Sequence, residues 1–212
     1  MNTLEHPWSI EQSWFERGAE IICGVDEAGA GPLMGPVYAA AVILPPFCQI
    51  EGLNDSKKLT EKNREALYEQ IVRKAISYAV ARVEASEIDA TDILSARMKA
   101  MQTAIDGLDF FPDIALIDGN KDHGKTAAIT TPHQTVVGGD GKSASIAAAS
   151  ILAKVSRDRY MLELDKHYPQ YQLARHKGYP TKLHYELIER YGIQDFYRRS
   201  FLKKQGYWHE PG

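Results

Sequence analysis

Apolar and polar positions recur along this chain with two periods, and the switches between them lay out its elements. Ile10, Trp14 and Phe15 share one side of a 3.6-residue wheel, so Ser9 to Arg17 is predicted as a short helix. Glu20 to Asp26 and Val37 to Leu44 are β-type runs, joined through the glycine- and proline-rich turn region Gly29 to Pro36. Thr60 is placed as the N-cap of a helix reaching about Ala75, with Leu67, Ile71 and Val72 inward. Ser77 to Val83 reads as a third strand. Ser86 with Asp89 resembles a capping box that opens a helical stretch towards Leu108, where Ile93, Met98, Met101 and Ile105 fall at helical spacing. Ile114 to Asp118 and Gln134 to Val137 are short strands. Lys142 to His167 is a long helix whose stretch Ser145 to Ala153 is nearly all small residues, allowing close approach to a sheet. Thr181 to Tyr191 is a last amphipathic helix. Strands that come early, then alternate with helices, then give way to helices predict an α/β fold: a mixed β-sheet flanked by helices. In such a sheet, groups at the ends of central strands are well placed for chemistry.

Composition narrows the class. The 212 residues suit one domain with its own core, and 44% hydrophobic with 25% charged residues is ordinary for a globular chain. Cys23 and Cys48 lie in apolar stretches without C-x-x-C spacing, and read as reduced thiols of a cytoplasmic protein. The first twenty residues lack the apolar core of a signal peptide, and the run Val37 to Phe47 is too short and proline-broken to span a bilayer, so no membrane association is expected. The net charge of -3 is unevenly spread. Residues 1–150 hold 13 Lys+Arg against 21 Asp+Glu, and residues 151–212 hold 12 against 7. An acidic body beside a basic C-terminal part suits a carboxylate-rich centre next to a phosphate-gripping surface, although scattered solvated charges give the same totals.

Acidic residues stand where strands run into glycine. Asp26 and Glu27 precede Ala28-Gly29, Asp118 precedes Gly119, and Asp140 follows Gly138-Gly139. Gathered at one sheet edge, four carboxylates repel unless cations neutralise them, and oxygen donors without Cys or His favour Mg²⁺ or Mn²⁺. Adjacent residues of a strand face opposite ways, so Asp26 and Glu27 share a site only if the chain turns at Glu27. Taken singly, each of these acids reads as readily as a turn or cap residue. A second pattern competes. Gly119 to Thr126 matches G-x-x-x-x-G-K-[ST], but the β-branched continuation reaches Pro132 without room for the helix a phosphate loop requires.

Basic segments complete the picture: Asn54-Asp-Ser-Lys57-Lys58, His176-Lys177-Gly178-Tyr179-Pro180, and Arg198-Arg199-Ser200-Phe201. Their cations could meet phosphates and Tyr179 could stack on a sugar or base. Loop lysines are also commonly just solvated, Tyr179 could simply anchor a loop, and the arginines could pair with local acids.

In order along the chain, these residues resemble a known family. Gly24-Val-Asp26-Glu27-Ala-Gly29-Ala30-Gly31-Pro32-Leu-Met-Gly35-Pro36-Val is similar to the bacterial ribonuclease HII signature GVDEAGRGPLAGPV. Matching blocks follow at Leu53 to Leu59, Ile117 to Asn120, Gly139-Asp140 with Lys142-Ser143, Ser145 to Val155 with Arg157 to Arg159, His176 to Tyr179, and Arg198 to Phe201. The resemblance spans roughly residues 20–202. It implies a ribonuclease H-like catalytic domain over 20–167, a lead-in over 1–19, and a C-terminal helical substrate-binding extension of the same domain over 168–212. It implies a monomeric endoribonuclease that cuts RNA in RNA–DNA hybrids and incises 5′ of ribonucleotides embedded in duplex DNA, using two Mg²⁺ or Mn²⁺ ions held by Asp26, Glu27, Asp118 and Asp140. Gly29, Ala30 and Gly31 are then expected to present backbone groups to the ribose 2′-OH, Tyr179 to stack on the sugar at the RNA–DNA junction, and Lys57 to lie near the scissile phosphate. Asn120, Lys142, Ser143, His176, Lys177, Arg198 and Arg199 are the remaining substrate-binding candidates. The tail Lys203 to Gly212 has no clear docking motif for a sliding clamp. A hybrid-binding module without turnover and a nucleotide hydrolase through Lys125 are the competing classes.

Ala30 departs from the family pattern, which usually has arginine there. Main-chain reading of the 2′-OH survives alanine, whereas one charge-assisted contact, worth on the order of 1–3 kcal/mol, is lost. Ala30→Arg is therefore expected to lower KM for a ribonucleotide-containing duplex, and an unchanged KM contradicts this reading of position 30.

Overall fold

The structure is a computed structural model that describes residues 8–53, 59–203 and 206–208. Helix α1 (Ser9–Phe15) leads into β1 (Ile22–Ala28), β2 (Val37–Ile43), α2 (Glu61–Lys74), β3 (Ser77–Val83), α3 (Ala85–Ala90) and α4 (Ile93–Asp106). β4 (Ile114–Asp118), β5 (His133–Val136), α5 (Ala144–His167), α6 (Leu173–His176), α7 (Lys182–Tyr191) and α8 (Arg199–Lys203) follow. The five strands form one sheet in the order β3-β2-β1-β4-β5, with β1 antiparallel to β2 and parallel to β4. The pair β2–β3 is antiparallel and β4–β5 parallel, so the sheet is mixed, as the element order predicted.

Both central strands are buried on both faces, because helices cover each side of the sheet. Cys23, Val25, Ala39, Ala41, Ala115 and Ile117 meet Met98, Met101 and Ile105 of α4. On the opposite face, Ala40 and Val42 meet Ala147, Ala148 and Ile151 of α5, with Leu67 and Ile71 of α2 behind. Burial drives the Cys23 thiol up to about 12, which keeps it protonated and unreactive. Small residues in α5 let its backbone close on β1. At Gly24 even a β-carbon would stand 2.0 Å from the carbonyl carbon of Ser145. At the N-terminus of α5, buried Glu11 of α1 accepts from the Ser143 hydroxyl at 2.6 Å and from the Ser145 amide at 3.1 Å, a favourable place for an anion.

A further cluster joins the loop after β1 to the C-terminal helices. Leu33 and Met34 pack with Met161, Tyr171, Leu173, Leu187 and Tyr197. Backbone bonds stitch the two together: Leu33 N–H to Gly178 O at 2.9 Å, Gly35 N–H to Phe196 O at 2.8 Å, and Arg198 N–H to Leu33 O at 2.9 Å.

Three local expectations are corrected. The stretch 86–108 is two helices, because the chain breaks at Thr91 and Asp92 caps α4 by accepting from the Ser95 amide at 2.9 Å. Asp89 is not half of a capping box. It accepts from the amides of Arg199 (2.8 Å) and Ser200 (2.9 Å), capping α8 from 110 residues away. The long helix begins at Ala144, with Ser143 as its N-cap through the Ile146 amide. Among the described residues no helix is long and apolar enough to cross a membrane.

Gly24→Ala is expected to force β1 and α5 apart at a cost of ~3 kcal/mol or more, lowering the melting temperature by roughly 6 °C or more. A calorimetric scan showing an unchanged melting temperature contradicts the close approach at Gly24.

Candidate active site

Register assembles the acidic edge. The parallel ladder between β1 and β4 pairs Val25 with Ile117, and the next residues outward are Asp26 and Asp118. Their side chains leave the same face of neighbouring strands, about 4.8 Å apart in the backbone. Asp118 accepts from the Gly139 amide at 2.7 Å, which draws in the 3₁₀ turn Gly139–Gly141 that carries buried Asp140. Asp26 is 4% exposed and accepts from the Glu27 amide at 2.7 Å. Burial first, then the charges of Glu27, Asp118 and Asp140, hold its carboxyl well above the usual carboxylate range.

Glu27 stands apart. Sharing a site with Asp26 required the chain to turn at this residue, but β1 continues through it, with Glu27 opposite Ala39 and Ala28 opposite Tyr38. The chain turns one step later, at Gly29, whose φ of 93° favours glycine and whose missing β-carbon leaves room for the Arg157 side chain. Strand alternation therefore sends Glu27 to the α4 face, where its Oε1 meets Nη2 of Arg97 at 2.6 Å. Sequence reasoning passed over Arg97. The signal was present, because residue 97 falls at helical spacing between Ile93 and Met101 on the inward stripe of α4, where a cation needs a partner.

With Glu27 turned away, no three acidic, histidine or cysteine side chains among the described residues stand as a ready-made metal cage. The donor chemistry nevertheless fits a hard divalent cation. All four groups are carboxylates, and Oε2 of Glu27 is buried without a hydrogen-bond partner, a position that a cation would relieve.

The expected substrate contacts separate into surface and interior. Tyr179 is 40% exposed, and behind its ring lie Lys154 Nζ and the Arg157 guanidinium carbon, each 5.8 Å from the centroid. Asn120, Lys142 and Arg199 are exposed and Lys177 half-buried; Lys142 donates to Val137 O and Arg199 pairs with Asp195 at 3.2 Å. Gly31 is exposed and Ala30 half-buried at the rim of the loop. Lys57 lies outside the described residues.

Four candidates are not at a surface, and Gly29 is one of them, buried at the base of its loop. Arg198 is fully buried and donates to the carbonyls of Gly29, Ala30, Pro32 and Gly35 at 2.6 to 3.0 Å, so it shapes the glycine loop and cannot meet a phosphate directly. Ser143 is buried as the cap of α5. His176 is buried with Nδ1 accepting from the Gly178 amide, so its Nε2–H donates to Tyr171 O at 2.9 Å. It stacks at 4.1 Å on His184, whose ionisation burial pushes down to about 4. Both imidazoles act as neutral hydrogen-bonding struts beneath the Tyr179 loop.

The phosphate-loop lookalike is a small hairpin packed on α4. The Gly124 amide donates to Ala127 O at 2.7 Å and the Thr126 amide to Ser95 Oγ at 3.1 Å, and no helix follows. Amides that would cradle a phosphate are already committed.

Comparison with known proteins decides the family. The model describing ribonuclease HII matches residues 23–204. The chain belongs to the ribonuclease HII family. Relatives called ribonuclease HII include those of Aliivibrio fischeri strain MJ11, 54% identical over 88% of both chains, and Shewanella oneidensis, 53% identical over 85% of this chain and 87% of that one. Among solved structures, ribonuclease H2 from Pyrococcus horikoshii OT3 superposes with a TM-score of 0.72 at 25% identity, covering 89% of this chain and 97% of that one. The ribonuclease HII of Archaeoglobus fulgidus, solved as a complex with PCNA, gives 0.68 at 26% identity over 84% and 94%. As a ribonuclease HII, this protein is an endoribonuclease acting on RNA in RNA–DNA hybrids, and the nucleotide-hydrolase and binding-only readings fall away.

Because folding raises the Asp26 carboxyl, the native state keeps a proton that the unfolded chain releases above the ordinary carboxylate value. Stability from this group is present in acid and lost as pH rises through the folded value. In metal-free protein, Asp26→Asn is expected to raise the melting temperature at neutral and alkaline pH relative to wild type, with little difference near pH 4. A difference independent of pH contradicts the crowded-carboxylate account.

Proposed function

We propose that this enzyme hydrolyses the phosphodiester on the 5′ side of ribonucleotides, both within RNA–DNA hybrids and where they are embedded in duplex DNA. It depends on Mg²⁺ or Mn²⁺ held by Asp26, Glu27, Asp118 and Asp140, acts as a monomer, and leaves a 5′-phosphate on the RNA-side product. The observation that carries this reading is the β1–β4 register, which sets Asp26 and Asp118 side by side with Asp140 tied in through Gly139. A divalent pair at such a site supplies an activated water and stabilises charge on the phosphorus oxygens and the departing 3′-oxygen.

The chain's own residues do the rest. Asp26 is the carboxyl whose ionisation burial and the neighbouring acids oppose most, and a cation held beside it would favour its ionised, coordinating form. Arg198 takes the carbonyls of Gly29 and Ala30, which leaves the N–H groups of residues 29–31 as the readers of the ribose 2′-OH. Tyr179 offers its face to the sugar at the junction, held by the cations behind it and by the His176–His184 stack below its loop. Asn120, Lys142, Lys177 and Arg199 lie at the surface as phosphate or sugar partners. The span 168–212 serves as the substrate-binding extension, because its helices clamp the glycine loop from outside.

Cleavage of labelled duplexes, one with a single ribonucleotide and one a full hybrid, tests the reading with Mg²⁺, Mn²⁺ or EDTA. Incision 5′ of the ribonucleotide is expected with either metal and none with EDTA. Asp118→Asn is expected to lose more than the roughly 10–100-fold that an outer-shell partner typically contributes. Metal-independent cutting, or full activity of Asp118→Asn, overturns the assignment. Tyr179→Ala is expected to cost about 1–3 kcal/mol in kcat/KM on the ribonucleotide-containing duplex, the usual scale for an aromatic stack on nucleic acid. An unchanged kcat/KM removes Tyr179 from the contact surface.

A further inference from the structure

The carboxylate of Glu27 is bound by a cation of the chain itself. Arg97 Nη2 lies 2.6 Å from Glu27 Oε1, with the two side chains only 25% and 13% exposed. The pair is single-pronged: Arg97 Nε and Glu27 Oε2 are both buried without hydrogen-bond partners. The same Nη2 stands 4.0 Å from where a β-carbon would lie at Gly119, the residue after Asp118. The guanidinium therefore sits between the ends of β1 and β4, on the opposite face from Asp26. It arrives there because α4, capped at Asp92, turns position 97 inward.

We propose that Arg97 is a positioning residue that competes with the metal for Glu27. It holds the carboxylate on the α4 face and lowers the affinity of the nucleic-acid-free enzyme for divalent cations. The proposal rests on the metal-dependent reading of the four carboxylates. An arginine keeps its charge at every working pH, so its hold on Glu27 is permanent until a stronger cation displaces it. The unsatisfied Nε–H and Oε2 show that the pair is not a finished structural bridge, since a bidentate arrangement would use both. With Glu27 engaged this way, the remaining carboxylates do not form a cage among the described residues. Strong binding then requires Glu27 to swing off Arg97, and that cost falls on the empty enzyme.

The test is Mn²⁺ binding to the full chain without nucleic acid, followed by electron paramagnetic resonance of the free ion, for wild type, Arg97→Met and Arg97→Lys. Thermal melting in EDTA checks that each variant is folded. Arg97→Met is expected to bind Mn²⁺ at least about fivefold more tightly than wild type, and Arg97→Lys, which keeps the charge, to stay near wild type. A purely structural role for Arg97 predicts the reverse, because disordering the site weakens binding. Equal or weaker Mn²⁺ binding by folded Arg97→Met overturns the competition while leaving the metal site standing. Absence of Mn²⁺ binding by wild type and both variants overturns the metal-dependent reading and the proposal with it. If Arg97→Met does not fold, Arg97→Lys and Arg97→Gln carry the same comparison, the neutral Gln expected to bind more tightly than Lys and an equal affinity refuting the competition.

Discussion

Like charges crowded at the ends of two parallel strands are the constraint around which this molecule is built. Asp26 and Asp118 share a register position, Asp140 is drawn in through Gly139, and Glu27 follows Asp26 directly. Left alone, four ionised carboxylates in so small and poorly hydrated a space would drive the strand ends apart. Three of them are restrained differently: burial and its neighbours push the Asp26 carboxyl towards its neutral form, Asp118 accepts a backbone N–H, and Glu27 is held on the far face by Arg97. The site is a compromise among these restraints.

A second set of charges works in the interior with the opposite purpose. Arg157 and Arg198 are fully buried, and their donors go to backbone carbonyls: Pro36, Met34 and Lys177 for the first, Gly29, Ala30, Pro32 and Gly35 for the second. A glycine-rich loop has little shape of its own, since glycine gives up more backbone freedom on ordering than any other residue. Two guanidinium forks supply the shape instead, and they link the loop to the C-terminal helices that carry Tyr179. Burial lowers the basicity of Arg198, to about 9, yet the carbonyl dipoles around it fill most of its donor positions. The acidic edge and the Tyr179 loop are thereby joined by polar bonds rather than by apolar packing alone.

Much of this was legible from the chain alone. The mixed sheet followed from apolar period and element order, and the acids at 26, 118 and 140 from their places where strands run into glycine. What escaped was nonlocal. Asp89 appeared to cap the helix it belongs to, because a local spacing rule cannot see that its carboxylate faces the amides of α8. Arg198, His176 and Ser143 carried residue types suited to phosphate contact, and only tertiary packing reveals that carbonyls and a helix end already take their polar atoms. Arg97 escaped for a related reason: its role appears only once α4 is laid against β1.

The placement of Glu27 also explains why a strand, rather than a loop, carries two adjacent acids. A loop could turn both side chains to one side, but it would leave their spacing free to vary. A paired strand fixes Asp26 and Glu27 on opposite faces through their partners Ala40 and Ala39. One acid is thus committed to the α5 side with Asp118, while the other reports to α4. Glu27 is tied to α4 through Arg97, whereas Asp26 lies on the side where β1 closes on α5 at Gly24. The face packed on α5 holds Asp26 beside Asp118 and the opposite face holds Glu27, a division that follows directly from the two-residue period of a β-strand.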